Sequence, residues 1–279
     1  MLRLGIIGKP SDWLIASTYD KETVAQTFGF ELVDIPIEEV TSLGKVDGGK
    51  EGAEVIYERL KSIIAKYDLA GLTLRCFDLL TTVYNTGCWA LAKLNSEGIP
   101  AACEGDVPTL ITMMIAKQIS GCPGFQANPA RIDYPTAEGG LSVEDGLSGE
   151  AGVSESPERP AKRSSKMLFA HCTLPLSMCE RYSLTTHFES GIGVAIHGEL
   201  PLGDYTLMKV NGDGSRVFAE DVKLIRNQYE PNLCRTQVWL EVSEEAVKYF
   251  LTHPIANHHV ILPCHWAAFL QKMQKDLHI

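Results

Sequence analysis

The sequence predicts an α/β fold, in which a doubly wound parallel sheet is followed by an antiparallel β domain. Strand-like and helix-like runs alternate over the first 120 residues, the order typical of a parallel sheet. After Gly121 the sequence changes to strand-like runs with turn signals, which indicates a sandwich or a barrel. A composition of 45% hydrophobic and 22% charged residues over 279 positions is that of a globular protein with a sizeable core.

Two hydrophobic periods define the elements of the first half. Ile56, Leu60 and Ile63 recur at helical spacing, whereas residues 30–37 alternate as a strand does. Gly98 predicts the end of a long helix. The elements expected in order are strand 2–8, helix 18–28, strand 30–37, helix 56–67, strand 69–74, helix 77–94, strand 99–103 and helix 109–117.

Strand-like runs and one turn signal define the second half. Asn211-Gly212-Asp213-Gly214 is a strong hairpin signal. The strands expected are 167–171, 182–187, 192–198, 204–210, 234–242 and 257–262, with extended chain at 124–134 and helices at 244–251 and 266–277. Residues 136–166 are rich in Gly, Ser, Glu and Pro and predict a flexible insertion. We expect a domain at 1–120 and a second at 121–279.

Charge and cysteine content restrict the partners and the compartment. A net charge of −10 without a long basic run argues against nucleic acid and anionic membranes as partners. No apolar run reaches the roughly 20 residues of a membrane span. None of the eight cysteines forms a Cys-x-x-Cys pair, which indicates free thiols and a cytoplasmic location.

The stretch Cys103-Glu104-Gly105-Asp106-Val107-Pro108 joins a predicted strand to a predicted helix. Asp106 is a suitable N-cap, and Pro108 fits the first helical turn. Glu104 is therefore expected at the carboxyl end of a parallel strand, where open α/β sheets bind ligands. It is a candidate base or metal ligand, and the alternative is that Glu104 and Asp106 only cap the helix.

All eight histidines lie in the second half of the chain. His171 ends a predicted strand, His187 lies close to Glu189, and His258 begins a predicted strand. A shell of glutamate, histidine and amide oxygen suits a divalent ion such as manganese(II) or magnesium. The alternative is that these histidines are packed structural residues.

Six short motifs resemble those of one enzyme family. The chain resembles the L-fucose isomerase and L-arabinose isomerase superfamily, and most of all its shorter fucose isomerase-like members. The motifs are Cys103-Glu104-Gly105-Asp106, Ala127-Asn128-Pro129, Ala170-His171-Cys172, His187-Phe188-Glu189-Ser190-Gly191, Leu233-Cys234-Arg235-Thr236-Gln237-Val238 and Asn257-His258-His259.

The resemblance implies a Rossmann-like domain, an antiparallel β-barrel, and aldose–ketose isomerisation with a manganese(II)-type ion. It implies that Glu104 binds the metal and moves the proton, and that His258 and His171 are further ligands. Asn128 stands where the family has an acidic ligand, so an amide oxygen is expected there. The resemblance also implies a homo-oligomer and the absence of the N-terminal domain that larger members carry.

Several points stay open at this stage. The second acid or base is Asp106, Asp133 or Glu189, because an amide such as Asn128 cannot carry a proton. His187 and Glu189 are expected to contact sugar hydroxyls, and Arg235 to be structural. The favoured function is a metal-dependent sugar isomerase acting on a small sugar through an enediol. The alternatives are a non-catalytic sugar- or metal-binding relative, as a partner or regulator, and a related epimerase.

Overall fold

A computed structural model describes residues 1–15, 18–133 and 165–276, and it confirms the predicted fold class. A parallel sheet with helices precedes a closed antiparallel barrel. In the described part of the chain, no helix combines the length and the apolar character that crossing a bilayer requires.

The sheet has four strands that are all parallel, so their carboxyl ends share one edge. The strands are β1 (Leu2–Ile7), β2 (Phe30–Ile35), β3 (Leu69–Leu74) and β4 (Ala101–Cys103), in the spatial order β2-β1-β3-β4. The helices are α1 (Lys21–Phe28), α2 (Glu38–Thr41), α3 (Lys50–Tyr67), α4 (Asp78–Thr82), α5 (Cys88–Ser96) and α6 (Val107–Ser120). Glu104 directly follows β4 and therefore lies at the carboxyl edge.

Among the described residues, the second half adds eight strands and two α-helices. They are β5 (Phe125–Asp133), β6 (Ser165–His171), β7 (Arg181–Thr185), β8 (Ala195–Glu199), β9 (Gly203–Val210), β10 (Val217–Gln228), β11 (Thr236–Val242), α7 (Glu244–Thr252), β12 (His259–Pro263) and α8 (Ala267–Asp276). Six strands close a barrel in the order β10-β11-β6-β5-β12-β9, and β7 pairs only with β8.

Helix α6 connects the two halves of the molecule. Its first ten residues, Val107 to Ala116, are all buried, because the helix packs against both β4 and the barrel strands β9 and β12. Leu110 and Met113 join Met208 and Val260 in one apolar cluster. A helix that is apolar on all sides is buried on all sides, and α6 thus fixes the end of β4 against the barrel.

The single helix predicted over 77–94 is wrong, because the structure has two helices there. Tyr84 adopts a positive φ of 62° between them. The Asn85 side chain donates to the carbonyls of Asp47 and Gly49, and the Thr86 hydroxyl bonds the backbone of Val194. These contacts give the buried side chains of Asn85 and Thr86 hydrogen-bond partners and hold the chain in a non-helical path between the two helices.

The second half differs from the expectation in two respects, and the expected insertion is untested apart from its last two residues. β10 was not predicted, although Asp221, Val222, Lys223 and Leu224 alternate between exposed and buried positions. β7 and β8 form a separate ribbon and take no part in the barrel. The expected insertion at 136–166 lies outside the described residues except for its last two positions, which begin β6.

We expect the barrel interior to dominate stability, and Phe169→Ala tests this. Phe169 has no exposed surface and packs against other apolar side chains of the barrel. Its truncation should lower the free energy of unfolding by about 3–5 kcal/mol, because it leaves a cavity. Phe269→Ala is the matched control, since Phe269 is 52% exposed. Urea unfolding that gave equal effects for both variants would contradict this assignment.

Candidate metal centre

A tight turn after β4 presents Glu104. Glu104 and Gly105 both adopt left-handed φ angles, of 64° and 65°. A side chain at position 105 would lie 2.7 Å from the carbonyl oxygen of Lys9, so glycine is required there. The Ser11 hydroxyl donates to the Glu104 carbonyl. A non-glycine residue in this conformation is strained, and such strain is concentrated at functional sites.

Two barrel histidines converge on the Glu104 carboxylate. Its Oε1 lies 3.6 Å from Nε2 of His171, at the end of β6, and 3.5 Å from Nε2 of His258, directly before β12. The three ligand atoms lie within 4.8 Å of one another, so all three can reach one ion. The imidazole planes cross at 79°. This cluster therefore needs both the parallel sheet and the barrel.

Hydrogen bonds on the far side of each ring orient the histidines. Asp106 Oδ2 lies 2.9 Å from Nδ1 of His258, and the Thr173 hydroxyl lies 2.9 Å from Nδ1 of His171. Each bond leaves the Nε2 atom directed at Glu104, an arrangement typical of metal-binding histidines. Nε2 of His258 is buried and has no hydrogen-bond partner among the described residues.

Asp106 also contacts the N-terminus of α6 and a buried lysine. Its Oδ1 accepts the backbone N–H of Thr109 at 2.8 Å, which caps α6, and its Oδ2 accepts the Thr109 hydroxyl. The ammonium of Lys209 on β9 lies 3.6 Å from Oδ1, and both side chains are buried. One carboxylate thus contacts a helix terminus, a lysine and a candidate ligand.

Charge pairing decides the protonation states of this cluster. Burial raises the pKa of Glu104, but the neighbouring His171 and His258 lower it well below its usual range. Burial likewise raises the pKa of Asp106, and Lys209 and His258 reverse the effect. Burial alone would lower the pKa of His258, whereas Asp106 and Glu104 together raise it to about 9. Both carboxylates are therefore ionised at neutral pH.

A cavity of about 200 Å³ opens beside Glu104. It is lined by five of the six site residues that the sequence predicts: Glu104, Asn128, His171, His187 and Glu189. The sixth, His258, is fully buried and does not line it. Phe77, Leu80 and Phe188 supply an apolar wall. A larger, more open cavity of about 810 Å³ lies along β10, and none of these site residues lines it.

The loop that carries His187 and Glu189 is held in place by backbone contacts. The Arg235 guanidinium donates to the carbonyl of Thr186 at 2.7 Å, and the His187 N–H donates to Ile192. Nδ1 of His187 lies 3.2 Å from the Ser190 hydroxyl. Its other ring nitrogen has no hydrogen-bond partner within the described residues. Burial lowers the pKa of His187, so a neutral ring is favoured.

The three candidates for the second acid or base occupy different environments. Asp106 is buried and bonded to His258, Thr109 and Lys209, so it has no access to a substrate. Asp133 is exposed at the end of β5, and it does not line the cavity. Glu189 does line the cavity. Glu189 is therefore the candidate with access to a ligand.

Sequence reasoning missed Lys209 and Trp13. Lys209 interrupts an apolar run, Leu207-Met208-Lys209-Val210, in which every residue is buried. A single charged residue in such a run was the available signal, because a buried lysine needs an anionic partner. The Trp13 indole N–H lies 3.5 Å from Oε2 of Glu104, and the sequence carried no comparable signal for it.

Comparison with known proteins gives one informative similarity. No protein-family model matches the chain. A stretch of 79 residues is 33% identical to a protein of Clostridium sp. (strain MSTE9) named sulfoquinovose isomerase. That relative is a sugar isomerase. The stretch covers 28% of this chain, and the chain spans 18% of the relative's length. The similarity supports a relationship to sugar isomerases and does not single out the fucose or arabinose enzymes.

We expect the charges of Asp106 and Lys209 to stabilise the fold as a pair. Asp106→Asn keeps an oxygen that can cap α6 but leaves Lys209 without a charged partner. It should therefore lower the free energy of unfolding by about 3–5 kcal/mol. Lys209→Met should destabilise less, because Asp106 still pairs with His258. The double variant should lose less stability than the sum of the losses in the two single variants.

Urea unfolding of the chelator-treated protein measures this coupling. Asp34→Asn is the control, because it removes a charge from the exposed pair with Lys21 and should change stability little. Strictly additive losses at Asp106 and Lys209 would show that the two charges do not interact.

Proposed function

We propose that this protein is a metal-dependent isomerase that interconverts an aldose and a ketose. The observation that carries the proposal is the convergence of Glu104, His171 and His258 beside a cavity of about 200 Å³. The similarity of one stretch to a sugar isomerase supports the same reaction class.

The donor set fits a divalent ion of the manganese(II) type. One carboxylate oxygen and two imidazole nitrogens form a borderline-hard set without thiolates. Nε2 of His258 supports this choice, because it is buried, forms no hydrogen bond within the described residues and lies 3.5 Å from Oε1 of Glu104, where an ion between the two atoms would satisfy both. When bound, such an ion stabilises negative charge on the two oxygens of the substrate.

Glu104 is assigned as the base that removes the proton next to the carbonyl, because its carboxylate lies both beside the two histidines and on the wall of the cavity. Its carboxylate stays ionised because two histidines lie close to Oε1. The same carboxylate returns the proton to the adjacent carbon, so the reaction proceeds through an enediol. The strained turn at Glu104 fixes the position of the carboxylate before substrate arrives.

Asn128, His187 and Glu189 then position the sugar. Asn128 offers an amide oxygen as a weak ligand and an NH₂ group to substrate oxygens. The unpartnered ring nitrogen of His187 is available to a sugar hydroxyl. Glu189 moves the second proton, because it is the carboxylate with cavity access among the three candidates.

One observation favours a second function, that of a non-catalytic sugar- or metal-binding protein. Asn128 lines the cavity but cannot exchange a proton, so catalysis depends entirely on Glu104 and Glu189. Epimerisation is the third alternative, because it shares the first proton transfer.

The remaining assignments follow from the same proposal. We infer a small sugar as substrate, manganese(II) as the metal and a homo-oligomer as the working assembly. A cytoplasmic location is inferred from the eight free cysteines, five of which line the cavity.

Proton exchange in D₂O tests the proposed reaction. The protein is incubated with manganese(II) and a panel of aldoses and ketoses that includes fucose, arabinose and sulfoquinovose, and NMR follows the C1 and C2 protons. Exchange with net ketose formation is expected for at least one sugar. Glu104→Gln should lower the rate by about 10²–10⁴-fold, since the amide cannot accept the proton.

Glu58→Gln is the matched control, because Glu58 is exposed on α3 and does not line the cavity. It should retain the full rate. Exchange without a ketose would identify an epimerase. Bound metal without any exchange would contradict the isomerase and favour the binding protein.

A further inference from the structure

Sulfur atoms form much of the cavity wall. Five of the eight cysteines line it, namely Cys76, Cys88, Cys103, Cys172 and Cys234. Two of them are in direct contact, since the Sγ atoms of Cys76 and Cys103 lie 3.0 Å apart. The proposed isomerisation uses neither thiol.

The contact between Cys76 and Cys103 is a product of the fold. Cys103 is the last residue of β4, and Cys76 follows the neighbouring strand β3 by two positions. The strand register pairs Leu74 with Cys103, so both thiols project at the carboxyl edge of the sheet. Their separation of 27 residues gave no sequence signal, because it matches no known dithiol motif.

We propose that Cys76 and Cys103 are a redox site that a peroxide entering the cavity converts to a disulfide. Cys76 is the more exposed of the two residues, at 8% against 3% for Cys103, so its sulfur attacks the peroxide, gains one oxygen and releases water. The Cys103 sulfur then displaces that oxygen as a second water. Two thiols and one hydrogen peroxide give one disulfide and two waters, so the cysteines lose two electrons and the peroxide gains them.

The other three thiols of the cavity form a separate group. Cys88, Cys172 and Cys234 pack together with Ala195. The Cys172 sulfur also accepts the backbone N–H of Arg235 at 3.4 Å. A pairing within this group is the competing outcome, and peptide mapping distinguishes it from the Cys76–Cys103 bond.

Oxidation next to Glu104 has a consequence for the candidate metal centre, and this step rests on the proposed function. A disulfide requires a sulfur–sulfur distance of about 2.05 Å, so the thiols must approach from 3.0 Å. Cys103 directly precedes Glu104, whose turn is tightly packed against Lys9 and Ser11. Oxidation should therefore displace the carboxylate and weaken metal binding by about 10–100-fold, as loss of a supporting contact does.

Peptide mapping of the peroxide-treated full chain tests the redox site. Trypsin cuts after Arg75, Lys93 and Lys117, so Cys76 and Cys88 share peptide 76–93 while Cys103 lies in peptide 94–117. A Cys88→Ala background removes this ambiguity. The expected result is a linked 76–93/94–117 pair that dithiothreitol separates, and its loss when Cys76→Ser is added.

Two further measurements control for the folding of the variants and for the success of the peroxide treatment. In the wild-type chain, a second protease that cuts after Tyr84 separates Cys76 from Cys88. The mapping therefore does not depend on whether the variants fold. Oxidation of Cys264, which is exposed, reports that the peroxide treatment worked. The proposal would be overturned if Cys76 and Cys103 remained reduced after Cys264 had been oxidised. A disulfide between Cys103 and a cysteine other than Cys76 would also overturn it.

Manganese titration of the reduced and oxidised forms tests the consequence separately. Weaker binding by the disulfide form is expected, and equal affinity would overturn the link between oxidation and the metal centre. Failure of the reduced protein to bind manganese would instead contradict the proposed function, while the disulfide mapping would still decide the redox site.

Discussion

The buried carboxylate of Asp106 is the contact on which the candidate site depends. It caps α6, accepts the ring N–H of His258 and pairs with the ammonium of Lys209. An isolated buried charge would cost several kcal/mol, and the lysine and histidine offset that cost together. Because α6, β9 and the segment before β12 each supply one partner, Asp106 joins the parallel sheet to the barrel at the point where the ligands meet.

This arrangement explains why the candidate site needs both the parallel sheet and the barrel. Glu104 comes from the edge of the sheet, whereas His171 and His258 come from two strand ends of the barrel. Helix α6 is buried between the two layers, so its position sets the distance from Glu104 to the histidines. The strained turn at Glu104 and the hydrogen bonds on the far side of each imidazole orient these three side chains toward one another, as a preorganised site requires.

Much of this fold was accessible from the sequence, because most elements satisfy local rules. Asp106 and Pro108 begin α6 as expected, and the parallel and antiparallel halves are confirmed. The failures have physical causes. The break between α4 and α5 depends on distant partners of Asn85 and Thr86, and the dense charges of β10 hide its alternation. At the site, Glu104, His171 and His258 were identifiable, whereas Lys209 and the Cys76–Cys103 contact arise only from tertiary packing.

The central claim is that Glu104, His171 and His258 bind one divalent ion. The most direct measurement is anomalous diffraction at the manganese edge from crystals of the protein grown with manganese(II). The account predicts one strong peak between the three side chains, with ligand distances of about 2.0–2.3 Å to nitrogen and oxygen. The absence of a peak near these three side chains would contradict it. A manganese ion bound by other residues, with His258 in contact only with Asp106, would contradict it as well.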